Sequence, residues 1–364
     1  MNRTRTLGVL GGGQLGKMII EAAQPYGIYT IVLDPDPQCP ASQVADEVIA
    51  APYDDLMAMQ QLVEMCDLAT YEFENVNAQR IKMYQGLFPQ KAKALEISQH
   101  RFKEKEFASK LNINTPAYRL ITSVEQLAKI DKFPVILKTC RLGYDGKGQW
   151  ILKNQNDIKH LVLDQDMEYI VEEWIDFDFE ASTILTRFAS HTHVFEPMIN
   201  THIDGILATS HNLPMCSEQL ISQMNSYSKL MASSLDYIGT MAIEWFVKGD
   251  QLYFNEMAPR PHNSAHMTLQ THRYSQFDLH VAAILGLSKL DNQRNYDGVM
   301  HNLLGQDLDV VENGLSDMRE EVFSEVVLYG KKEKRINRKM GHLTLFAKDK
   351  QVLSTKLNHW RKKK

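Results

Sequence analysis

Along the first hundred positions the apolar residues fall in short unbroken runs that alternate with segments of helical spacing. Leu7 to Leu10, in "LGVL", reads as a strand buried on both faces. Lys17 to Tyr26 then set Met18, Ile19, Ala22, Ala23 and Tyr26 along one helical face before Gly27 stops the run. "YTIVLD", "EVIAAP" and "LATYEF" repeat the strand texture and "DLMAMQQLVEMC" the helical one, which predicts a doubly wound parallel sheet. "HRFKEKEFASKL" predicts a polar, lysine-rich helix, closed by "NINTPAY", where Pro116 lacks the N–H that another turn needs. From Phe133 the pattern changes to strands broken by glycine and acidic turns: "FPVILKT", "WILK", "EYIVEEWI" and "FEASTILTRF", with a helix from Asn156. That texture predicts an antiparallel α+β part. "MAIEWFVKGDQLYFNEMAPR" reads as a hairpin turning at Lys248, Gly249 and Asp250, and "EVVLYGKKEKRINRKMGHLTLFA" as two strands around a basic turn. The expected divisions are 1–98, 99–298 and 299–364.

Composition narrows the classes. The chain has 364 residues, 44% hydrophobic and 23% charged, enough for two or three folded domains and without a disordered signature. A formal net charge of −5 and a pI near 6.2 argue against nucleic acid as a partner, so the terminal "RKKK" reads as a solvated end. No apolar run reaches the roughly 18 residues of a membrane span, and "MNRTRTLGVLGG" lacks a secretory core. A cytoplasmic protein is expected. Cys39, Cys66, Cys140 and Cys216 form no C-x-x-C pair and read as thiols rather than disulfides or zinc ligands.

Candidate chemistry begins at Gly11-x-Gly13-x-x-Gly16, which fits the dinucleotide fingerprint, with Asp34 placed where such a fold holds a ribose. Alone it suggests an NAD-dependent oxidoreductase. In "VILKTCRLGYDGKGQW", Lys138 ends a strand that feeds a loop containing Gly143, Gly146, Lys147 and Gly148. Glycine N–H groups can approach phosphate oxygens there and lysines add charge, although a plain turn has the same composition. The loop lacks the Walker pattern. In "YIVEEWIDFDFEAST", Glu172 or Glu173 can accept from a ribose hydroxyl while backbone at Trp174 and Ile175 meets an adenine edge; the same acids also suit a surface. Glu244 and Glu256, with Asn255, sit in apolar strands of the hairpin. Carboxylates so placed need a partner, and near phosphates a hard cation serves; otherwise they form a solvated cross-strand pair. "APRPHNSAHMT" then gathers Arg260, His262, Asn263, Ser264 and His266, a set suited to an anion or small polar substrate. It lacks a G-x-S-x-G elbow, and H-x-x-x-H on a loop is a weak zinc signal.

In order along the chain, "GGGQLGKM", "DPDPQCPASQVAD", "TYEFENV", "GYDGKGQ", "NEMAPRPHNSAH" and "YGKKEKRINRKMGH" resemble the ATP-grasp ligases and, among them, the N5-carboxyaminoimidazole ribonucleotide synthase family. The resemblance implies an α/β and α+β chain: an ATP-grasp fold with an N-terminal Rossmann-like domain and a small C-terminal β-rich domain. It implies ATP between two lobes, touched by Arg101, Lys138, the lid Gly143, Tyr144, Asp145, Gly146, Lys147, Gly148 and Gln149, then Glu172, Glu173, Trp174, Ile175, Glu180, His202, Asn255 and Glu256. Mg2+ would rest on Glu244 and Glu256, and Tyr144, Asp145, Lys147 and His262 would serve the chemistry. Aminoimidazole ribonucleotide would meet Gln14, Leu15, Glu72 or Glu74, Arg260, His262, Asn263 and Ser264, with its phosphate on Lys331, Arg338 and Lys339.

The implied reaction phosphorylates bicarbonate to carboxyphosphate, which the substrate amine captures. A homodimer is also implied. Asp34 becomes the end of an ordinary strand, Lys17 stands where the family often has Arg, and Ala265 where Gly is common. A formate-dependent glycinamide ribonucleotide transformylase shares the opening and the late basic pattern, but "YEFENV" and "GYDGKGQ" favour the carboxylating family. Hydride transfer has no use for the lysine, lid and paired acids.

Overall fold

In the computed structural model the described residues are 5–143, 147–164, 166–288, 290–308 and 322–354. Tyr144, Asp145 and Gly146 of the expected lid, and the terminal basic tail, lie outside them. Strands β1 (Thr6–Leu10), β2 (Tyr29–Asp34), β3 (Glu47–Ala50) and β4 (Leu68–Tyr71) form a parallel sheet in the order 3-2-1-4, with Val9 between Val32 and Thr70. Both faces are covered. Helix α1 (Gln14–Ala23) sets Met18 and Ile19 against Phe277 and Val281 of the helix Gln276–Ile284. On the other face, α2 (Leu56–Met65), α3 (Ala78–Met83) and α4 (Ala92–Ser98) contribute Leu62, Ile81 and Leu95. The first helix starts three residues before the expected Lys17, because Gly11 at φ +98° turns the chain sharply enough for the helix to open at Gln14.

A buried polar seam fastens this domain to the rest. The Nδ1 of His280 accepts from the Thr240 N–H at 3.0 Å, which leaves Nε2 to face Thr70 Oγ1 at 3.0 Å. Thr70 in turn donates to Gln90 Oε1 at 2.7 Å, and Gln90 reaches the Pro259 carbonyl at 3.4 Å. Burial pushes the His280 imidazole down to about 3, so it works as a neutral bridge.

Helix α5 (Arg101–Lys110) leads into an antiparallel sheet of β5 (Tyr118–Ile121), β6 (Val135–Thr139), β7 (Gln149–Leu152) and β8 (Tyr169–Glu173), in the order 5-8-6-7. A nine-stranded sheet follows, built from β9 (Phe179–Arg187), β10 (Thr192–Val194), β11 (Met198–Ile203), β12 (Ile206–His211), β13 (Gly239–Lys248), β14 (Gln251–Ala258), β15 (Asp297–Leu304), β16 (Phe323–Leu328) and β17 (Lys339–Ala347). Its order is 14-13-9-11-12-15-17-16, with β10 attached to β9. The division expected at 298/299 falls inside β15, where Met300 pairs with Ser210 of β12. The C-terminal strands therefore extend the sheet of the middle part instead of forming a sheet of their own. Ladder hydrogen bonds cross the expected boundary. Among the described residues no helix is long and apolar enough to cross a membrane. The four cysteines are free thiols, three of them buried.

Candidate active site

The hairpin of β13 and β14 carries a bulge that its sequence does not announce. Trp245 pairs with Phe254 and Ile243 with Met257, so the single residue Glu244 faces two, Asn255 and Glu256. An extra residue on one strand bends it and re-aims its side chains. Asn255 Nδ2 donates to Glu244 Oε2 at 3.3 Å, while Asn255 Oδ1 is buried without a partner. Glu256 Oε2 accepts from the Arg101 guanidinium at 2.6 Å. Burial and the neighbouring Glu256 raise the Glu244 carboxyl; for Glu256 burial acts the same way, but Arg101 outweighs it and holds the group below the usual range. Two hard carboxylates beside an unsatisfied amide oxygen fit a divalent cation whose remaining ligands come from phosphate. Among the described residues no cluster of three His, Cys, Asp or Glu offers a complete cage.

This hairpin forms the floor of a cleft of about 490 Å³. Its walls come from all three parts of the chain: Gln14, Leu15, Glu72 and Glu74; Arg101 and Gly143; His202, Glu244 and Glu256; Arg260, His262, Asn263 and Lys339. His262 Nδ1 accepts from the Ser264 N–H at 3.4 Å and lies 2.9 Å from Ser264 Oγ, which meets Ser182 Oγ at 2.7 Å. That leaves Nε2 toward Glu244, 3.4 Å away. Burial, followed by the Arg260 charge, pushes His262 down to about 3, so the imidazole is neutral. Asn263 lines the cleft with both side-chain polar atoms buried and unpartnered. His266 is fully buried and does not line the cleft; its ring lies tilted against that of His342, with centroids 5.0 Å apart. Ala265 is fully buried among Met267 and Leu279, so its methyl is absorbed by the core.

Where the nucleotide is expected, Lys138 Nζ donates to Glu172 Oε2 at 2.8 Å, and Lys105 stands 3.6 Å from Glu172 Oε1. Against the effect of burial, these lysines hold Glu172 down at about 2. The Glu172 carboxylate, expected at the nucleotide, is thus turned into a lysine pair. A buried acid with two cations at hand is less costly there than facing an adenine edge. Glu173 is exposed and its strand pairs backbone with Ala117 at 2.8 Å; Trp174 is 38% exposed and Ile175 half-buried. Glu180 Oε2 meets His202 Nδ1 at 2.6 Å, and although burial acts to lower His202, this acid raises it. At the lid, Arg101 donates to the Gly143 carbonyl at 3.2 Å. Gly148 sits at φ +69°, where a Cβ would also meet Thr139 Oγ1 at 2.6 Å. Lys147 and Gln149 are exposed.

The N-terminal glycine turn holds an anion of its own. Glu72 accepts from Gly13 N–H at 2.6 Å and from Gly16 N–H at 2.5 Å, and Asp34 accepts from Gly12 N–H at 2.7 Å and Tyr53 O–H at 2.5 Å. The donors that a dinucleotide pyrophosphate would need are taken by the chain's own carboxylates. The NAD reading fails there, and Asp34 is a latch on the turn rather than a ribose hook. Of the two acids expected at the substrate amine, Glu72 has both oxygens engaged, and Glu74 forms a two-point pair with Arg260 at 2.5 and 3.2 Å. Both still line the cleft. Of the three expected phosphate residues, only Lys339 lines it. Lys331 Nζ donates to the Lys339 carbonyl at 2.8 Å, and Arg338 to the Glu333 carbonyl at 3.0 Å. Lys17, at the departure from Arg, donates to Gln43 Oε1 at 2.9 Å.

Glu104 and Lys105 escape a reading of the sequence. In a lysine-rich helix they look solvated, yet they are 3% and 1% exposed. The one signal is that Arg101, Glu104, Lys105 and Ala108 follow helical spacing on a helix short of apolar residues, so its buried face has to be charged.

Comparison with known proteins agrees across the chain. Residues 4–99 match the ribonucleotide synthetase preATP-grasp domain, 106–277 the ATP-grasp domain and 298–356 the phosphoribosylaminoimidazole carboxylase C-terminal domain. The N5-carboxyaminoimidazole ribonucleotide synthase of Staphylococcus aureus (strain COL) is 38% identical over 357 residues, covering 94% of this chain and 93% of that protein. The crystal structure of an N5-carboxyaminoimidazole ribonucleotide synthetase with ADP superposes with TM-score 0.92 at 37% identity, covering 99% of this chain and 98% of the other. The Aspergillus clavatus enzyme in complex with ADP and 5-aminoimidazole ribonucleotide superposes with TM-score 0.87 at 26% identity, covering 97% and 96%.

Proposed function

The chain belongs to the N5-carboxyaminoimidazole ribonucleotide synthase family of ATP-grasp ligases, and from that premise we propose how its own residues divide the work. The reaction is the ATP- and bicarbonate-dependent carboxylation of 5-aminoimidazole ribonucleotide in purine biosynthesis, with release of ADP and phosphate. This displaces the formate-dependent alternative.

In our reading the adenine edge meets backbone at Glu173 to Ile175, and the ribose meets Glu180 beside His202. The phosphates run past Lys138 and the lid, Gly143 to Gln149, toward Arg101 and Glu256. Glu244, Glu256 and Asn255 Oδ1 would hold Mg2+, which when bound there neutralises charge on the phosphate oxygens. A bicarbonate oxygen attacks the γ-phosphorus as the bond to the ADP oxygen breaks, giving carboxyphosphate. The ribonucleotide amine then attacks the carboxyl carbon, the bond to phosphate breaks, and the amine sheds a proton. Neutral His262 offers its Nε2 hydrogen to an oxygen of the reacting carboxyl without neutralising it, and Arg260, fixed by Glu74, supplies the positive charge. Lys339, backed by Lys331 and Arg338, takes the ribonucleotide phosphate, and Gln14, Leu15 and Asn263 complete that wall, with Ser264 buried behind it against His262. We place the enzyme in the cytoplasm as a homodimer, by family likeness.

The bulge that sets Asn255 and Glu256 opposite Glu244 carries this reading. Glu256→Gln should lower ADP release by more than about 100-fold in the presence of ATP, Mg2+, bicarbonate and aminoimidazole ribonucleotide, with the melting temperature little changed. Near-normal turnover would refute the metal assignment.

A further inference from the structure

Strand β14 is the outer strand of the large sheet, and one helix face covers its open edge at the bulge. Lys105 Nζ donates to the carbonyls of Phe254 at 3.1 Å and Asn255 at 2.6 Å. Glu104 Oε1 accepts from the Met257 N–H at 3.0 Å. Arg101, one turn earlier, holds the Glu256 carboxylate. Three side chains at positions i, i+3 and i+4 of α5 thus grip four consecutive residues, 254 to 257, which are the bulged residues and their two flanks. Lys105 also stands 3.6 Å from Glu172, the partner of Lys138, and so ties the bulge to the smaller sheet. Burying an ammonium and a carboxylate is costly unless they are fully engaged. An apolar helix face would cover this edge but leave the Phe254 and Asn255 carbonyls and the Met257 N–H without these partners.

We propose that Glu104 and Lys105 are positioning residues that hold the Asn255–Glu256 bulge in register with Glu244 and with the nucleotide lobe, Lys105 from outside the cleft and Glu104 from within its wall. The proposal rests on the assignment of Glu244 and Glu256 to the phosphate end of ATP.

The test compares Glu104→Met, Glu104→Gln and Lys105→Met in the full-length enzyme, with rates normalised to the folded fraction measured by circular dichroism. Glutamine keeps an oxygen for the Met257 N–H; methionine fills the space and offers none. Glu104→Met and Lys105→Met should each raise the Mg2+ concentration for half-maximal activity and lower kcat by about tenfold or more, the equivalent of one lost buried hydrogen bond. The KM for the ribonucleotide should stay within about twofold, and Glu104→Gln should restore most of the loss. A purely structural role predicts a lower melting temperature with an unchanged Mg2+ profile per folded molecule, and that result would overturn the proposal. Equal damage from Glu104→Gln and Glu104→Met would overturn it too. If Lys105→Met does not fold, the Glu104 pair decides. Should Glu256→Gln retain turnover, the metal assignment itself fails; if Glu256→Gln is inactive while Glu104→Met is normal, only the positioning role falls.

Discussion

The glycine turn at residues 11–16 and the hairpin bulge at residues 254–257 both carry a sequence pattern that suggests phosphate chemistry, and they have opposite states of satisfaction. At the turn, the N–H groups of Gly12, Gly13 and Gly16 are matched by Asp34 and Glu72 from the same chain. At the bulge, Asn255 Oδ1 is unpartnered, Glu244 is raised by burial and by its neighbour Glu256, and Glu256 itself is held low chiefly by Arg101. A motif that has met its own needs is scaffold. One that leaves a buried polar atom unmet points to a ligand. The letters of the glycine fingerprint are compatible with either state, and the destinations of Asp34 and Glu72 separate them.

Breaking the closed state should affect stability first. Glu72→Gln replaces an oxygen that accepts from one glycine with an amide that cannot, which should cost about 1–3 kcal/mol. Urea melts should show this while the KM for ATP is unchanged; a raised KM for ATP at full stability would mean that the turn serves the nucleotide after all. A smaller effect sharpens the other side. Lys339→Ala should raise the KM for the ribonucleotide by about tenfold, the equivalent of 1.4 kcal/mol, and more than Lys331→Ala does, because Lys339 alone of the pair lines the cleft. The reverse ranking in steady-state kinetics would move the phosphate toward the outer turn.

The smallest effect concerns pH. His202 is raised above its ordinary value of 6.5 by Glu180, which outweighs burial. A raised folded-state value means that the pair contributes fully below pH 6.5 and that its contribution fades as pH climbs through the folded value. Thermal melts of the parent and of His202→Gln should therefore converge between acidic and alkaline pH. A gap that does not change with pH would show the pair to be uncharged.

Much of this was legible in the sequence because periodicity is local. The four parallel strands, the hairpin turning at Gly249 and Asp250, and the hydrophobic face of α1 each follow from spacing within about a dozen residues. What was hidden depends on pairing. The bulge exists only in the register of β13 against β14, and a count along either strand alone does not reveal two residues facing one. Glu72 reads as an acid in "YEFENV"; its capture by Gly13 and Gly16 requires β4 to lie beside β1, more than fifty residues away in sequence. Glu104 and Lys105 look like solvent-facing charges until β14 is laid against them. The division at 298/299 marks a real change of texture but not a break in the sheet, since texture says nothing about which strand comes to lie next to which.

That continuous sheet has a consequence for how the chain is made. The open edge of β12, ending at His211, is paired by β15, which begins at Asp297. At a synthesis rate of about 5–20 residues per second, the ribosome needs on the order of 4–17 s to supply that partner. Throughout this interval a nearly complete ATP-grasp core presents an unpaired strand edge, the feature through which chains most readily join the wrong neighbour. The last strands of the enzyme therefore also act as its seal, and a messenger truncated after the β13–β14 hairpin would leave the edge permanently exposed.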